Sequence, residues 1–559
     1  MKISGDGALP HAVARHLLDQ HADRLPDLSG LTVLVPNHRA GQDFARALAQ
    51  AAARRALIPP RIVPLKAWAD SVAGGRAEPQ ARRLARLHGV LRRVDWLGAV
   101  DRWALAGELL QLADELSAAR LGGEIGSRIR ALHAGALDRA VLDRETALIE
   151  AVWQALNNDG HDPQARYAHA LDTLVEQIGA APQPIYGYAL GTLTAVERQF
   201  LAHCAERAPL TLFEPDTEAA IALSLHQAWQ LTDPPLRDRA AALARRVPAS
   251  PLQDRITLAP APHLEAEARA VATWVAGQLR AGRRALALIA LDRETARRVR
   301  ALLERMDVLA ADETGWTLST TAAAAVIDRW LECVASDFPH VELLDLLKSP
   351  FVLGEPAARQ DQVLAFELAL RRQGVSQGMA EMQRLAHREF AALPAWLAAL
   401  FDARQGFEQR RAPIAAWLTR LTDSLAKLEA IAPLEADAAG ASVLETLAAL
   451  RRDLADDGEK YGFNEWRRWL NLALESESFI DASVASPIVL TSLPAARGRL
   501  FDAVALIGAD ARHLPARPAP GLFSQATRAQ LGLSTASDEA EAVTADLMQL
   551  LVQGPALIS

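Results

Sequence analysis

Apolar residues along the chain form two kinds of pattern: short runs typical of buried strands, and longer segments with helical spacing. Leu31 to Val35 is an apolar run that ends at Pro36, and a helical stretch follows it. The next short apolar run is broken by Pro59 and Pro60. This strand–helix–strand order predicts a parallel α/β sheet in the N-terminal part of the chain.

Two long segments interrupt the alternation of strands and helices. Both place leucine and alanine at helical spacing with charged residues between them. The strand–helix pattern returns after each segment, and the run from Ala503 to Ile507 is predicted as a late strand. We therefore predict an α/β fold with two parallel-sheet cores, each carrying a large all-helical insertion.

The length of the chain requires several domains, since 559 residues are too many for one hydrophobic core. The changes of pattern along the chain divide it into six segments. The predicted segments are the first core (1–67 and 182–250), its helical insertion (68–181), the second core (251–310 and 487–559) and its helical insertion (311–486).

Composition and charge restrict the class of protein. The formal net charge is −8, so any contact with DNA must use a local basic patch or a partner. The sequence has no apolar run of about eighteen residues, and we expect no membrane association. Cys204 and Cys333 lie far apart, which excludes a cysteine-based metal cluster within this chain and fits a reducing cytoplasm. We expect a cytoplasmic protein.

Six segments carry a family resemblance through their order along the chain. They are LTVLVPNHRAGQDFARAL, IPPRIVPLKAWA, IYGYALGTLTAVERQFL, APLTLFEPD, ALALIALDRETARRVRALLE and LPAARGRLFDAVALIGADARHLP. The chain resembles the AddB family, the second subunit of bacterial helicase–nuclease complexes in double-strand-break repair, and more distantly RecC-type proteins, whose motor is inactive. The resemblance covers most of the chain and implies superfamily I helicase-like architecture, with two RecA-like cores.

The same resemblance implies a missing nuclease domain, because family members usually continue into a C-terminal nuclease and this chain ends at Ser559. We expect a truncated or fragmentary member. The nuclease class of the family, PD-(D/E)XK, places an acid two residues before a lysine. The residues two before the candidate lysines are not acidic: Pro64, Leu346, Leu425 and Gly458.

The motifs for ATP hydrolysis are also incomplete. The motor needs a glycine-rich loop that ends in Gly-Lys-Ser/Thr, where the lysine meets the β and γ phosphates. Near the N-terminus, Ser4, Gly5 and Gly7 are followed by no such lysine, so they form at most a degenerate nucleotide loop. The acidic pair that would hold magnesium is absent from the segment 185–188. We therefore predict no catalytic residue, no metal and no cofactor in this chain.

Five arginines in strand-end or loop positions are candidates for contact with DNA: Arg39, Arg61, Arg293, Arg497 and Arg499. By resemblance, Arg39 faces single-stranded DNA and Arg293 matches the arginine of the motor's fourth motif. Arg497 and Arg499 flank a glycine, where a guanidinium could hold a phosphate. The alternative is that these arginines are solvated or pair with acidic residues. Four tryptophans in amphipathic helices are expected to belong to the core rather than to stack bases: Trp68, Trp103, Trp153 and Trp466.

Three functions stay open at this point. The first is a non-catalytic helicase-like subunit or fragment that binds DNA ends or single strands and docks a helicase/nuclease partner. The second is part of an ATP-dependent helicase/exonuclease whose nuclease active site lies beyond residue 559. The third is a helical protein-interaction scaffold with no DNA role. The incomplete motifs favour the first.

Overall fold

The computed structural model describes residues 1–3, 8–53, 56–75, 77–121, 125–132, 139–157, 162–215, 220–229, 234–390, 394–481, 483–514 and 522–559. The fold of these residues is α/β, as predicted. The strands are β1 (Lys2–Ile3), β2 (Thr32–Val35), β3 (Arg61–Pro64), β4 (Ile185–Tyr188), β5 (Leu210–Pro215), β6 (Ile256–Leu258), β7 (Leu286–Ala290), β8 (Ala311–Asp312), β9 (Trp316–Thr317), β10 (Arg411–Ala412), β11 (Tyr461–Gly462), β12 (Ser478–Phe479), β13 (Ile488–Thr491), β14 (Ala503–Ile507) and β15 (Ala556–Ile558).

Helices make up most of the remaining structure. They are α1 (Leu9–Gln20), α2 (His38–Ala51), α3 (Leu65–Val72), α4 (Gln80–Arg92), α5 (Arg102–Ala118), α6 (Ile125–Leu132), α7 (Arg139–Asn157), α8 (Pro163–Ala180), α9 (Ala195–Arg207), α10 (Ala220–Trp229), α11 (Leu236–Arg246), α12 (Leu264–Arg280), α13 (Arg293–Glu304), α14 (Ala322–Ala335), α15 (His340–Lys348), α16 (Pro356–Gln373), α17 (Met379–Glu389), α18 (Ala395–Arg404), α19 (Ile414–Lys427), α20 (Ile431–Ala436), α21 (Ala438–Asp453), α22 (Phe463–Ser476), α23 (Leu493–Ala496), α24 (Gln525–Gln530) and α25 (Ala536–Leu551). No helix in the described part of the chain is long and apolar enough to cross a membrane.

The chain divides into two compact units. Unit 1 comprises Met1–Ala77, Gln111–Thr314 and Ala482–Ser559, and unit 2 comprises Glu78–Leu110 and Gly315–Asp481. Unit 1 contains both parallel sheets, whereas unit 2 is helical apart from two short antiparallel strand pairs. The units are coarser than the six segments predicted from the sequence, which stay predictions.

The first sheet of unit 1 has the order β1-β5-β4-β2-β3, and all its neighbouring strands are parallel. All four residues of β2 are buried, as expected for a strand covered on both faces. Val33 and Val35 pack against α1 and α2, while Leu34 lies in the core beneath α3, α8 and α9. The alternation of side chains in β2 therefore produces two apolar layers, one on each side of the sheet.

The second sheet of unit 1 has the order β6-β15-β14-β7-β13-β8 and is also parallel throughout. Its central strand β14 is fully buried and has the bounds predicted from the sequence. Ala503, Ala505 and Ile507 face the core formed with α12 and α13. Val504 and Leu506 face the core formed with α23 and α25. Both sheets are thus three-layered, which confirms two parallel α/β cores.

Unit 2 is organised around buried tryptophans. Trp330 donates its indole N–H to Ser424 Oγ at 3.0 Å, and Trp417 donates to the carbonyl oxygen of Tyr461 at 3.0 Å. Trp466 stacks on Trp417 with ring centroids 5.6 Å apart. Bulky aromatic side chains bury large apolar areas, and the indole N–H groups of Trp330 and Trp417 find buried partners. This cluster explains why the helices of unit 2 form a core of their own.

His88 is a buried histidine in this aromatic core. Its ring lies 3.7 Å from that of Trp103, nearly parallel to it. Burial, assisted by the charges of Arg92 and Arg102, lowers the pKa of His88 to about 3. The imidazole is therefore neutral in the folded protein near neutral pH.

We expect His88 to make unit 2 less stable in acid. Its folded pKa lies below the unfolded value, so the unfolded chain takes up the proton first as the pH falls. The stabilising effect is complete above pH ~6.5 and is lost as the pH falls toward ~3. In urea denaturation, the free energy of unfolding should drop by roughly 2 kcal/mol more between pH 7 and pH 5 in the wild type than in His88→Phe. The exposed His387 gives the control variant His387→Phe. Equal losses in all three proteins would contradict this expectation.

Candidate functional site

The topology of the first sheet predicts a ligand crevice at the carboxyl ends of its strands. The chain passes from β2 to β3 in one direction across the sheet and from β4 to β5 in the other. In open parallel sheets, ligands bind where the direction of the connections reverses. The expected ligand position is therefore between the ends of β2 and β4.

A loop of the second sheet occupies this crevice. Gly498, between β13 and β14, has φ +69°, a conformation that favours glycine. A Cβ atom at this position would lie 2.7 Å from Pro36 Cγ and 3.3 Å from Tyr188 Cε2. Pro36 follows β2 and Tyr188 ends β4, so the glycine lets the loop approach both strand ends.

Asn37 fastens the same loop by hydrogen bonds. Its side-chain N–H group donates to the carbonyl oxygens of Ala495 at 3.3 Å and Arg497 at 3.4 Å. Its side-chain oxygen accepts from the backbone N–H of Ala40 at 2.9 Å and caps α2. Asn37 thus caps the start of α2 and holds the loop.

Arg499 forms a buried ion pair in the joint between the two sheets. Its guanidinium binds both carboxylate oxygens of Glu313 at 2.5 and 3.2 Å, and lies 3.9 Å from Asp43. Glu313 follows β8 of the second sheet, whereas Asp43 lies on α2 beside the first. Asp43 also accepts the backbone N–H of Leu500 at 3.0 Å. Burial lowers the pKa of Arg499 while the charge of Asp43 opposes that change.

Arg39 shares the Glu313 carboxylate with Arg499. Arg39 pairs with Glu313, and its side chain keeps 46% of its exposure. Burial and the charge of Arg499 lower the pKa of Arg39. We name Arg39, Asp43, Glu313 and Arg499 the joint cluster. Asp43, Glu313 and Arg499 are buried and Arg39 is half exposed, and the exposed Arg46 also pairs with Asp43. The anions and cations at this place compensate each other's charge.

Arg497 makes a second buried pair, with Asp546 on α25. The two nitrogen–oxygen distances are 2.5 and 2.6 Å, and both side chains are largely buried. Burial raises the pKa of Asp546, although the charge of Arg497 acts in the opposite direction. The pair borders a cavity of about 480 Å³ at the ends of β4 and β5, with Glu214 and Glu541 also in its wall. Arg497 is the one cation among the described residues lining this cavity, so it offers little attraction to a phosphate.

The other two candidate arginines lie on the surface. Arg61 begins β3, which is the edge of the first sheet, and Arg293 begins α13 after the capping residue Asp292. Both are exposed, and no ion pair engages either of them within the described ranges. The structure thus brings Arg39 and Arg499 together and leaves Arg61 and Arg293 outside the joint cluster.

The predicted nucleotide loop, Ser4, Gly5 and Gly7, lies outside the described residues. Among the residues that the structure does describe, no group of three or more His, Cys, Asp or Glu is arranged to hold a metal ion. The expectation that tryptophans belong to the core is confirmed for Trp68, Trp103 and Trp466, which are buried. Trp153 is half-buried.

Sequence reasoning did not single out Glu313, which follows Asp312, or Asp546, which lies between Ala545 and Leu547. A weak signal existed for Asp43. It lies on the inner face of α2 beside the buried Phe44 and Ala47, and a carboxylate in such a position requires a partner. The partner itself could not be named because it comes from a distant segment.

No protein-family model matches the chain, and no curated protein matches it with significant similarity.

Loss of the Glu313 charge should weaken unit 1. In Glu313→Gln, Arg499 stays buried with only Asp43 to compensate it, which should lower the free energy of unfolding by about 3 kcal/mol. The control is Glu304→Gln, which breaks a partly exposed pair with Arg300 and should cost at most ~0.5 kcal/mol. Urea denaturation measures both. Equal effects of the two substitutions would show that the joint cluster contributes no special stability.

Proposed function

We propose that the chain is a non-catalytic, helicase-like body that binds DNA ends or single strands and docks a helicase/nuclease partner in double-strand-break repair. In this proposal the two parallel sheets are RecA-like cores of the superfamily I type. Its support is the resemblance of the six segments, together with the arrangement of unit 1 as two parallel α/β cores.

One observation carries the non-catalytic part of the proposal. The ligand crevice of the first sheet is filled by the loop around Gly498 and flanked by buried ion pairs. A motor of this kind works by closing and opening around a nucleotide. Opening this joint would separate Arg499 from Asp43 and Gly498 from Pro36, leaving buried charges less compensated. These contacts favour a protein in which the two sheets keep one fixed arrangement relative to each other.

The proposal divides the candidate arginines into two groups. Arg497 and Arg499 have side-chain exposures of 17% and 9% and bind carboxylates with both sides of the guanidinium fork, so we assign them to the joint. Arg61 and Arg293 are exposed and serve as DNA contacts. Arg39, half exposed, can present one side of its guanidinium to a phosphate while Glu313 holds the other.

Binding to labelled single-stranded and blunt duplex DNA at several salt concentrations tests this proposal. We expect affinity to fall steeply with salt and to be independent of ATP, since phosphate contacts release counterions. Arg61→Ala with Arg293→Ala should weaken binding to both DNA forms. The matched control, Arg280→Ala with Arg305→Ala, removes two exposed arginines of the same unit and should have little effect. Absence of binding by the wild type at low salt would contradict the proposal.

We also expect no ATP turnover by the purified chain. The sequence has no Gly-Lys-Ser/Thr loop after a strand and no acidic pair in β4, so neither phosphate nor magnesium would be held. The measurement is the release of phosphate from ATP by each fraction across the size-exclusion peak of the protein. Turnover that follows the protein through the peak would make the chain a motor and refute the non-catalytic assignment.

A further inference from the structure

Helix α11 is exposed along almost its whole length. Arg239 is its buried residue and Leu243 is half-buried, while the other side chains of the helix face solvent. Arg239 donates from Nη1 to the carbonyl oxygen of Gln227 on α10 at 2.7 Å, which fixes the helix to unit 1. One face of α11 therefore attaches the helix, and the opposite face has no partner among the described residues.

The exposed surface of α11 is basic. Three of the four arginines of the helix are exposed, beside one aspartate, in a chain whose formal net charge is −8. The aspartate, Asp238, lies in the first turn, where the helix N-terminus stabilises a negative charge. Basic residues occupy the last turn. The helix is thus a local positive region on an acidic protein.

Arg237 and Arg245 are the two arginines on which the inference depends. Both are exposed, and no carboxylate within the described ranges forms an ion pair with either. Arg245 donates to the carbonyl oxygen of Ala241 in its own helix at 3.3 Å. Eight residues separate them, about 12 Å along the axis, and alanines lie between. Their charges are available to a ligand with little desolvation cost.

We infer that α11 binds the phosphate backbone of nucleic acid without reading its sequence. Repeated phosphates match two cations spaced along a helix, and arginine forks suit phosphate oxygens. Protein interfaces often centre on buried aromatic anchors, and the exposed residues of α11 include no aromatic residue. The inference rests on the proposed DNA-binding function. It adds α11 as the element that lies along the nucleic-acid backbone.

The test compares the double variant that carries Arg237→Gln and Arg245→Gln with a control double variant that loses the same charge. The control is Arg451→Gln with Arg452→Gln, which removes two exposed arginines from the last turn of α21. The probe is a labelled single-stranded oligonucleotide, in two unrelated sequences, titrated at several salt concentrations. Each phosphate contact contributes about 0.7 to the slope of log affinity against log salt. We expect the slope to fall by roughly 1.4 in the α11 variant, equally for both sequences, and to stay unchanged in the control.

A charge-preserving variant separates charge from structure. Arg237→Lys with Arg245→Lys keeps both cations and should retain the wild-type slope, since lysine also binds phosphate as a point charge. If wild-type protein binds the oligonucleotide and the glutamine variant keeps the wild-type slope, the assignment of α11 is wrong while the proposed function stands. If wild-type protein does not bind at low salt, the proposed function itself fails. A glutamine variant that loses binding to polyglutamate but not to DNA would instead assign α11 to an acidic protein.

Discussion

The buried guanidinium of Arg499 determines how the two sheets of unit 1 meet. An isolated charge in a protein interior costs several kcal/mol, so it must be accompanied by partners in a fixed geometry. Those partners come from both sides of the joint: Glu313 follows a strand of the second sheet and Asp43 belongs to a helix on the first. Gly498 adds a steric condition, because its backbone lies where a side chain would meet Pro36. Charge and shape therefore specify the same arrangement.

This joint has consequences for the chemistry that the crevice can support. A phosphate site needs cations and backbone N–H groups that are not already engaged. Here Arg497 and Arg499 are bound to carboxylates, and the backbone N–H groups of Leu500 and Phe501 donate to Asp43 and Gln553. The ion-paired arginines beside the crevice therefore hold the two parallel sheets together and leave few donors for a phosphate.

The apolar patterns of the sequence predicted the strands well, but they did not predict the contacts that join the two sheets. The apolar runs that became β2 and β14 are buried on both faces, so their composition alone identifies them. The joint depends on pairs such as Arg499 and Glu313, which are 186 residues apart in sequence. Periodicity also identified the helical character of residues 78–110 but could not assign them to unit 2. That assignment depends on contacts such as Trp103 with Tyr461, which only the folded chain supplies.

The arginines of the joint and the arginines of the surface differ in whether their charges are already paired. Buried arginines such as Arg499 are paired with carboxylates of the chain and are not available to a polyanion. The exposed arginines include Arg61, Arg293 and those on the outer face of α11. Because exposed cations act through a screened field with a range of about 8 Å at physiological salt, they attract phosphates only at close approach. Binding of nucleic acid by such a surface should therefore be sensitive to salt and indifferent to base sequence. The buried ion pairs of the joint cluster are screened much less by salt.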